Sequence, residues 1–175
     1  MRHTERQEFI KYYEPIHSSL DRYCRVISGN KMDGEDLLHD TVLTTLNSFS
    51  KLENKQALLS YMFSVASRIH FKRARRKKFY SEWDSAELEH FLGNGADLDR
   101  QLEFQMIYEK MMTLPDRMKE TLILFYVSDL KMEEIHQVQG GSLSGVKLRL
   151  KRGKEKLLKM LTDKEKSTLI YMLSL

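Results

Sequence analysis

Lys147, Arg149, Lys151, Arg152 and Lys154 crowd together near the carboxyl end of the chain, interleaved with Leu143, Val146 and Leu150 at the three- and four-residue steps of a helix. Ammonium and guanidinium groups on one helical face bind phosphate; they do not break bonds. Just before them stand Ile135 and Val138, then Gly140-Gly141, a pair that enters left-handed backbone without the penalty a Cβ would bring. Residues 134–157 thus read as two helices around a glycine turn, the second starting at Ser144 and carrying the charges. That is the helix-turn-helix arrangement, whose second helix enters the DNA major groove. A plain helical hairpin with a solvated lysine-rich face fits the same residues, and this stretch alone leaves both readings open.

A second cationic block runs from Arg68 to Lys78 and includes Lys72, Arg73, Arg75, Arg76 and Lys77, with Phe71, Phe79, Tyr80 and Trp83 in or after it. Charge for phosphate and flat rings for stacking are what unstacked single-stranded bases require. The other reading is a solvated helix end with cations at its negative pole. The absence of any acid between residues 68 and 80 favours nucleic acid. Nothing in the chain suggests bond-making chemistry. The six histidines (His3, His17, His39, His70, His90 and His136) lack metal-ligand spacing, and no nucleophile has a base at motif distance. The acids from Asp33 to Asp36 resemble the start of a calcium loop, but Leu38 stands where such a loop needs glycine. No enzymatic activity, metal or cofactor is expected.

These groups need helices to hold them. With 175 residues, two prolines, eight glycines and abundant Leu, Lys, Glu and Met, the chain is expected to be all-α. The single cysteine, Cys24, excludes an internal disulfide and is expected to be a small core residue in a reducing compartment. No apolar run reaches membrane-spanning length and the amino terminus lacks a secretory core, so a cytoplasmic protein without membrane insertion is expected. Charge is segregated along the chain: residues 68–80 sum to +7, residues 81–103 to −6 and residues 146–175 to +6. Two cationic surfaces separated by an acidic stretch containing Gly93-Asn-Gly95 predict two small helical domains, 1–80 and 102–175, joined by a flexible linker over 81–101. Thr4 and Gln7 are expected to cap the first helix, Pro15 to interrupt it, and Asp33 to cap the helix bearing Leu37, Leu38, Thr41, Val42 and Leu46. Residues 47–56 read as a loop, and a helix from about Ala57 runs into the first basic block. Pro115 restarts a helix in the second domain. Thr162 and Glu165 cap a final apolar helix, expected to pack back on that domain rather than to serve a partner.

In this order the segments resemble the bacterial extracytoplasmic-function sigma factors. YYEPIHSSLDRYCRVISGNKMDGEDLLHDTVLTTL is similar to the family's first two segments, LLSYMFSVASRIHFKRARRKK to its strand-handling segment, LPDRMKETLILFYVSDLKMEEI to the opening of its second domain, and residues 134–154 to its closing helix-turn-helix. The resemblance covers roughly residues 9–158. It implies a subunit that binds core RNA polymerase, recognises two promoter elements, helps melt the duplex and is held inactive by an anti-sigma protein. On it, Asp36, Leu37, His39, Asp40 and Leu43 would meet the polymerase. Tyr61, Arg68, Lys72, Arg73, Arg75 and Arg76, with the 47–56 loop, would handle the separated strand of the proximal element. Ser142, Ser144, Lys147, Arg149, Lys151 and Arg152 would meet the distal element.

The chain departs from the family pattern at several places. Tyr61 stands for the usual tryptophan, Arg68 for asparagine and Lys72 for aspartate; His136 replaces a small alanine, Gln139 and Gly141 replace apolar residues, and Ser144-Gly145 replaces a glycine-threonine pair. Promoter choice is therefore not carried over. Left unaccommodated, the bulk of His136 and the lost apolar contacts would loosen the second domain by ~1–2 kcal/mol each. Two further readings are a stand-alone helix-turn-helix regulator and a sigma mimic that titrates an anti-sigma protein.

Overall fold

A computed structural model describes residues 3–75 and 98–172, with side chains over 5–75 and 102–170; among these residues every regular element is helical. The first segment holds α1 (His3–Tyr13), α2 (His17–Ser28), α3 (Lys31–Ser48) and α4 (Leu58–Ala74). The second holds α5 (Leu98–Met112), α6 (Asp116–Leu122) with a wide π-turn over Ile123–Val127, α7 (Met132–Gln139), α8 (Leu143–Met160) and α9 (Asp163–Met172). Most of the expected linker lies outside the described residues, as do Arg76–Lys78, Phe79, Tyr80 and Trp83, while α5 begins inside the stretch expected to be linker.

Local chemistry accounts for the breaks. Pro15 sits in a 3-10 turn, Glu14–Ile16, where its missing N–H is harmless, and α2 restarts behind it. Three expected boundaries move. Thr4 lies inside α1 rather than at its cap. Asn30, not Asp33, caps α3: its Oδ1 accepts from the Asp33 amide at 2.8 Å, placing Asp33 in the first turn, where a carboxylate is favoured. The 47–56 stretch is less of a loop than expected, because α3 runs to Ser48 and two 3-10 turns, Phe49–Lys51 and Lys55–Ala57, follow it.

Gly34 shows how closely α2 and α3 approach. A Cβ built there would stand 2.7 Å from the Arg25 Cα, a distance no side chain tolerates, so the backbones meet where glycine sits. Tyr23, Ile27, Leu37, Met62 and Phe63 fill the first segment's interior and are continuous with Tyr108, Ile123, Leu124, Ile135 and Val146 of the second. One core therefore crosses both segments. A smaller cluster, Ile107, Leu114, Leu122, Leu150, Leu157 and Leu161, lies within the second segment and is closed by Leu169 of α9. α9 packs back as expected: Lys110 Nζ reaches Glu165 Oε1 at 2.6 Å, Lys164 Nζ reaches Glu103 Oε1 at 2.6 Å, and Thr162 and Glu165 form the expected cap.

Candidate nucleic-acid interface

The glycine turn behaves as its sequence demands. Gly140 and Gly141 adopt φ of 71° and 88°, and nothing crowds either position, so the pair is selected for backbone sign rather than for space. α7 starts at Met132 and α8 at Leu143, slightly earlier than expected. Ser142 is the N-cap of α8, its Oγ accepting from the Gly145 amide at 3.1 Å. Val146, Leu150, Gly153 and Leu157 turn inward, leaving Ser142, Ser144, Lys147, Lys151, Arg152 and Lys154 exposed. Arg149 corrects the expectation of an outward charge. It is partly covered, and its Nε and Nη2 are enclosed with no hydrogen-bond partner. The open cationic row of α8 is therefore formed by lysines and Arg152.

His136 and Gln139 do not loosen the turn. His136 Nε2 lies 3.0 Å from the Gly141 carbonyl and so spans the turn it was expected to disturb. Gln139 is buried but bonded at both ends of its amide: Nε2 donates to Glu120 Oε2 at 2.8 Å, and Oε1 accepts from Thr121 Oγ1 at 3.0 Å. A buried polar group satisfied in this way no longer carries its desolvation penalty uncompensated. Glu120, 1% exposed, also accepts from the Tyr23 hydroxyl of α2. Burial, reinforced by the Glu120 carboxyl, drives the Tyr23 phenol well above its usual range.

On α3 the expected contact residues divide. Asp36, His39 and Leu43 are exposed along one face with Met32, whereas Leu37 is 1% exposed and belongs to the core. Val42 and Leu46 are only half-buried. Asp40 forms an ion pair with Arg73 of α4, which joins two residues expected to serve different partners and occupies part of each. Along α4, Arg68, Lys72 and Arg75 are exposed and Tyr61 is half-buried; Arg76 lies outside the described residues. His70, on the same helix, is held neutral: burial, then the Lys119 ammonium, push its pKa down to about 4. Cys24 is fully buried, and burial pushes its thiol up, so it packs and does not react.

The helix-turn-helix and the helices before it coincide with a known sequence pattern: residues 104–157 match the family model for sigma-70, region 4. Over nearly the whole chain, the ECF RNA polymerase sigma factor SigW of Bacillus subtilis is 24% identical across 171 residues, 91% of this chain and 91% of its own. Over most of its length the chain is similar to the extracytoplasmic-function sigma factors. RNA polymerase sigma factor SigV of the same bacterium is 29% identical to this chain over 136 residues, 78% of this chain and 80% of that one. Two solved structures share its fold. The sigma factor RpoE of Bartonella quintana, crystallised with the anti-sigma factor NepR, has a TM-score of 0.67 at 16% identity and spans 87% of this chain and 96% of its own. CnrH, solved with the cytosolic domain of CnrY, has a TM-score of 0.67 at 17% identity, with 89% and 88% covered.

What sequence reading missed is the seam between the chain's two segments. Ser64 Oγ donates to the Val138 carbonyl at 3.1 Å, the Tyr108 hydroxyl to the Val26 carbonyl at 2.9 Å, and Arg22 Nε to the Val127 carbonyl at 3.1 Å. Helix α7 consequently lies against α4, the helix that carries the first basic block. Pairings across such sequence distances leave no local periodicity to read.

Proposed function

We propose that this chain is a sigma factor directing core RNA polymerase to a specific set of promoters in the cytoplasm, acting by binding rather than by catalysis. The observation that carries the reading is the coincidence of the region 4 match over 104–157 with a capped helix, α8, that exposes Lys147, Lys151, Arg152 and Lys154. Residues 1–80 are the polymerase-binding and strand-handling domain, 81–101 the linker and 102–175 the distal-element domain. Asp36, His39 and Leu43, joined by Met32, meet the polymerase, with Asp40 at the edge of that face. Tyr61, Arg68, Lys72, Arg73, Arg75 and Arg76 hold the separated strand through phosphate contacts and ring stacking. Ser142, Ser144, Lys147, Lys151 and Arg152 dock α8 in the major groove, while Arg149 lies on its partly covered side.

An anti-sigma protein controls access to these surfaces. The packing of α7 on α4 supports this: a strand reaching the α4 cations in the closed arrangement meets the second domain in its path. Run-off transcription with purified core polymerase on a library of upstream regions tests the function, and discrete start sites that depend on the added chain are the expected result.

A further inference from the structure

Packing α7 and the start of α6 beside the carboxyl half of α4 creates an open cleft of about 940 Å³ that neither segment possesses alone. Arg68 and Lys72 line it from α4, Arg75 from the cap just after α4 and Arg117 from α6, together with the half-buried Phe71. None of the four cations is paired with a carboxylate among the described residues. The one acid among the described lining residues, Asp116, is engaged by Lys119 at 2.9 Å. Arg68 Nε and Arg75 Nε donate back to the Ser64 and Phe71 carbonyls, and an Arg117 Nη donates to the Gln139 carbonyl at 2.9 Å. These bonds restrain the three side chains while leaving further guanidinium donors for a ligand.

We infer that the closed cleft binds a small polyphosphate, free or carried on a nucleoside, that bridges α4 and Arg117 and so favours the closed arrangement. Four cations converging in a concave site raise the local concentration of anions, and guanidinium forks match phosphate oxygens. The volume falls in the ~300–1,000 Å³ range of small-molecule sites. Phe71 offers a ring against which a base can stack. Because the site needs both segments, its ligand binds the closed form preferentially and shifts the population toward it. The inference rests on the packed geometry and not on promoter recognition.

Calorimetric titration of the full chain with inorganic tripolyphosphate and, separately, with ATP tests it. Saturable binding is expected, weakened at least about tenfold in Arg117→Glu and in Ala74→Glu, with Arg117→Lys close to the parent. Ala74 lines the cleft, is exposed and makes no side-chain hydrogen bond, so Ala74→Glu keeps the test valid if Arg117→Glu disturbs folding. ATP binding at least about fivefold tighter than tripolyphosphate assigns the nucleoside form, and equal affinities assign the free anion. A single-stranded decanucleotide should bind Arg117→Glu within twofold of the parent. Tripolyphosphate affinities within twofold of the parent in both glutamate variants would overturn the inference. So would equal loss of polyphosphate and decanucleotide binding in Arg117→Glu, because the effect would then be general charge.

Discussion

The Tyr23 hydroxyl donates to Glu120 Oε1 across 3.3 Å, joining α2 to a helix 97 residues further along the chain. The same carboxyl accepts from Gln139 Nε2 through its other oxygen, so one buried side chain of α6 links α2 to α7, the first helix of the helix-turn-helix. Removing it strands a phenol and an amide together. Glu120→Ala should lower unfolding stability by about 2–4 kcal/mol, and Glu120→Gln by less, since an acceptor for Tyr23 survives. Urea unfolding of the two variants and the parent measures this, and an unchanged midpoint for Glu120→Ala would show the network to be idle.

Position on α3 separates docking from core. Leu43→Glu and Met32→Glu alter exposed side chains and should leave stability within about 0.5 kcal/mol while weakening capture of core polymerase. Leu37→Ala should do the reverse, costing about 2–5 kcal/mol through a cavity beneath the helix. Co-sedimentation with core polymerase, read beside thermal melts, distinguishes the two. Polymerase binding insensitive to both exposed substitutions would move the docking surface elsewhere.

The phosphate contacts proposed for α8 would carry a salt signature. Lys147→Glu and Lys151→Glu should each weaken duplex binding and reduce the magnitude of the log–log salt slope by about one. Arg149→Met should leave the fold as stable as the parent or more so, because a guanidinium with two enclosed nitrogens that lack partners is replaced by a flexible apolar chain of similar length. A large loss of stability in Arg149→Met would mean that its guanidinium is satisfied in solution.

His70 makes the closed protein sensitive to acid. Its folded-state pKa is near 4 against an ordinary 6.5, so protonation favours the unfolded chain. The stability it contributes is complete above pH 6.5 and is lost as pH falls toward 4, by at most about 3 kcal/mol. The groups electrostatically coupled to the ring are Lys119, Asp116, Arg73 and Asp33. His70→Gln should flatten the stability profile across this window, and a slope as steep as the parent's would assign the acid response to other residues. Glu165 adds a separate loss at lower pH: hydrogen bonds from Lys110 and the Thr162 amide hold its carboxyl below its usual value, so the attachment of α9 weakens as that group protonates.

Much of the fold was legible because helices announce themselves locally. Pro15, Pro115, the Gly140-Gly141 pair and the Thr162–Glu165 cap all mark breaks that the structure contains. Competing caps were harder: Asn30 and Asp33 are both good candidates, and only the geometry shows Asn30 accepting from the Asp33 amide. The cationic row of α8 was readable from period alone, but the covered Arg149 was not, since one step around a helix separates a solvated face from a buried one. Gly34 was a missed signal. A glycine inside a helix costs about 1 kcal/mol relative to alanine, which points to a close backbone contact such as the one it makes with Arg25. The seam through Glu120 and Gln139 was beyond reach, because polar side chains in a helical pattern do not say which distant element will satisfy them.

On the proposed function, α3 and α8 act together to give core polymerase its promoters. Run-off transcription on a library of upstream regions should yield discrete start sites with the parent chain. Leu43→Glu should remove them through lost polymerase binding, and Lys147→Glu combined with Arg152→Glu through lost distal-element contact. Start sites that persist in both variants, or no start sites beside tight salt-sensitive duplex binding by the chain alone, would contradict the account.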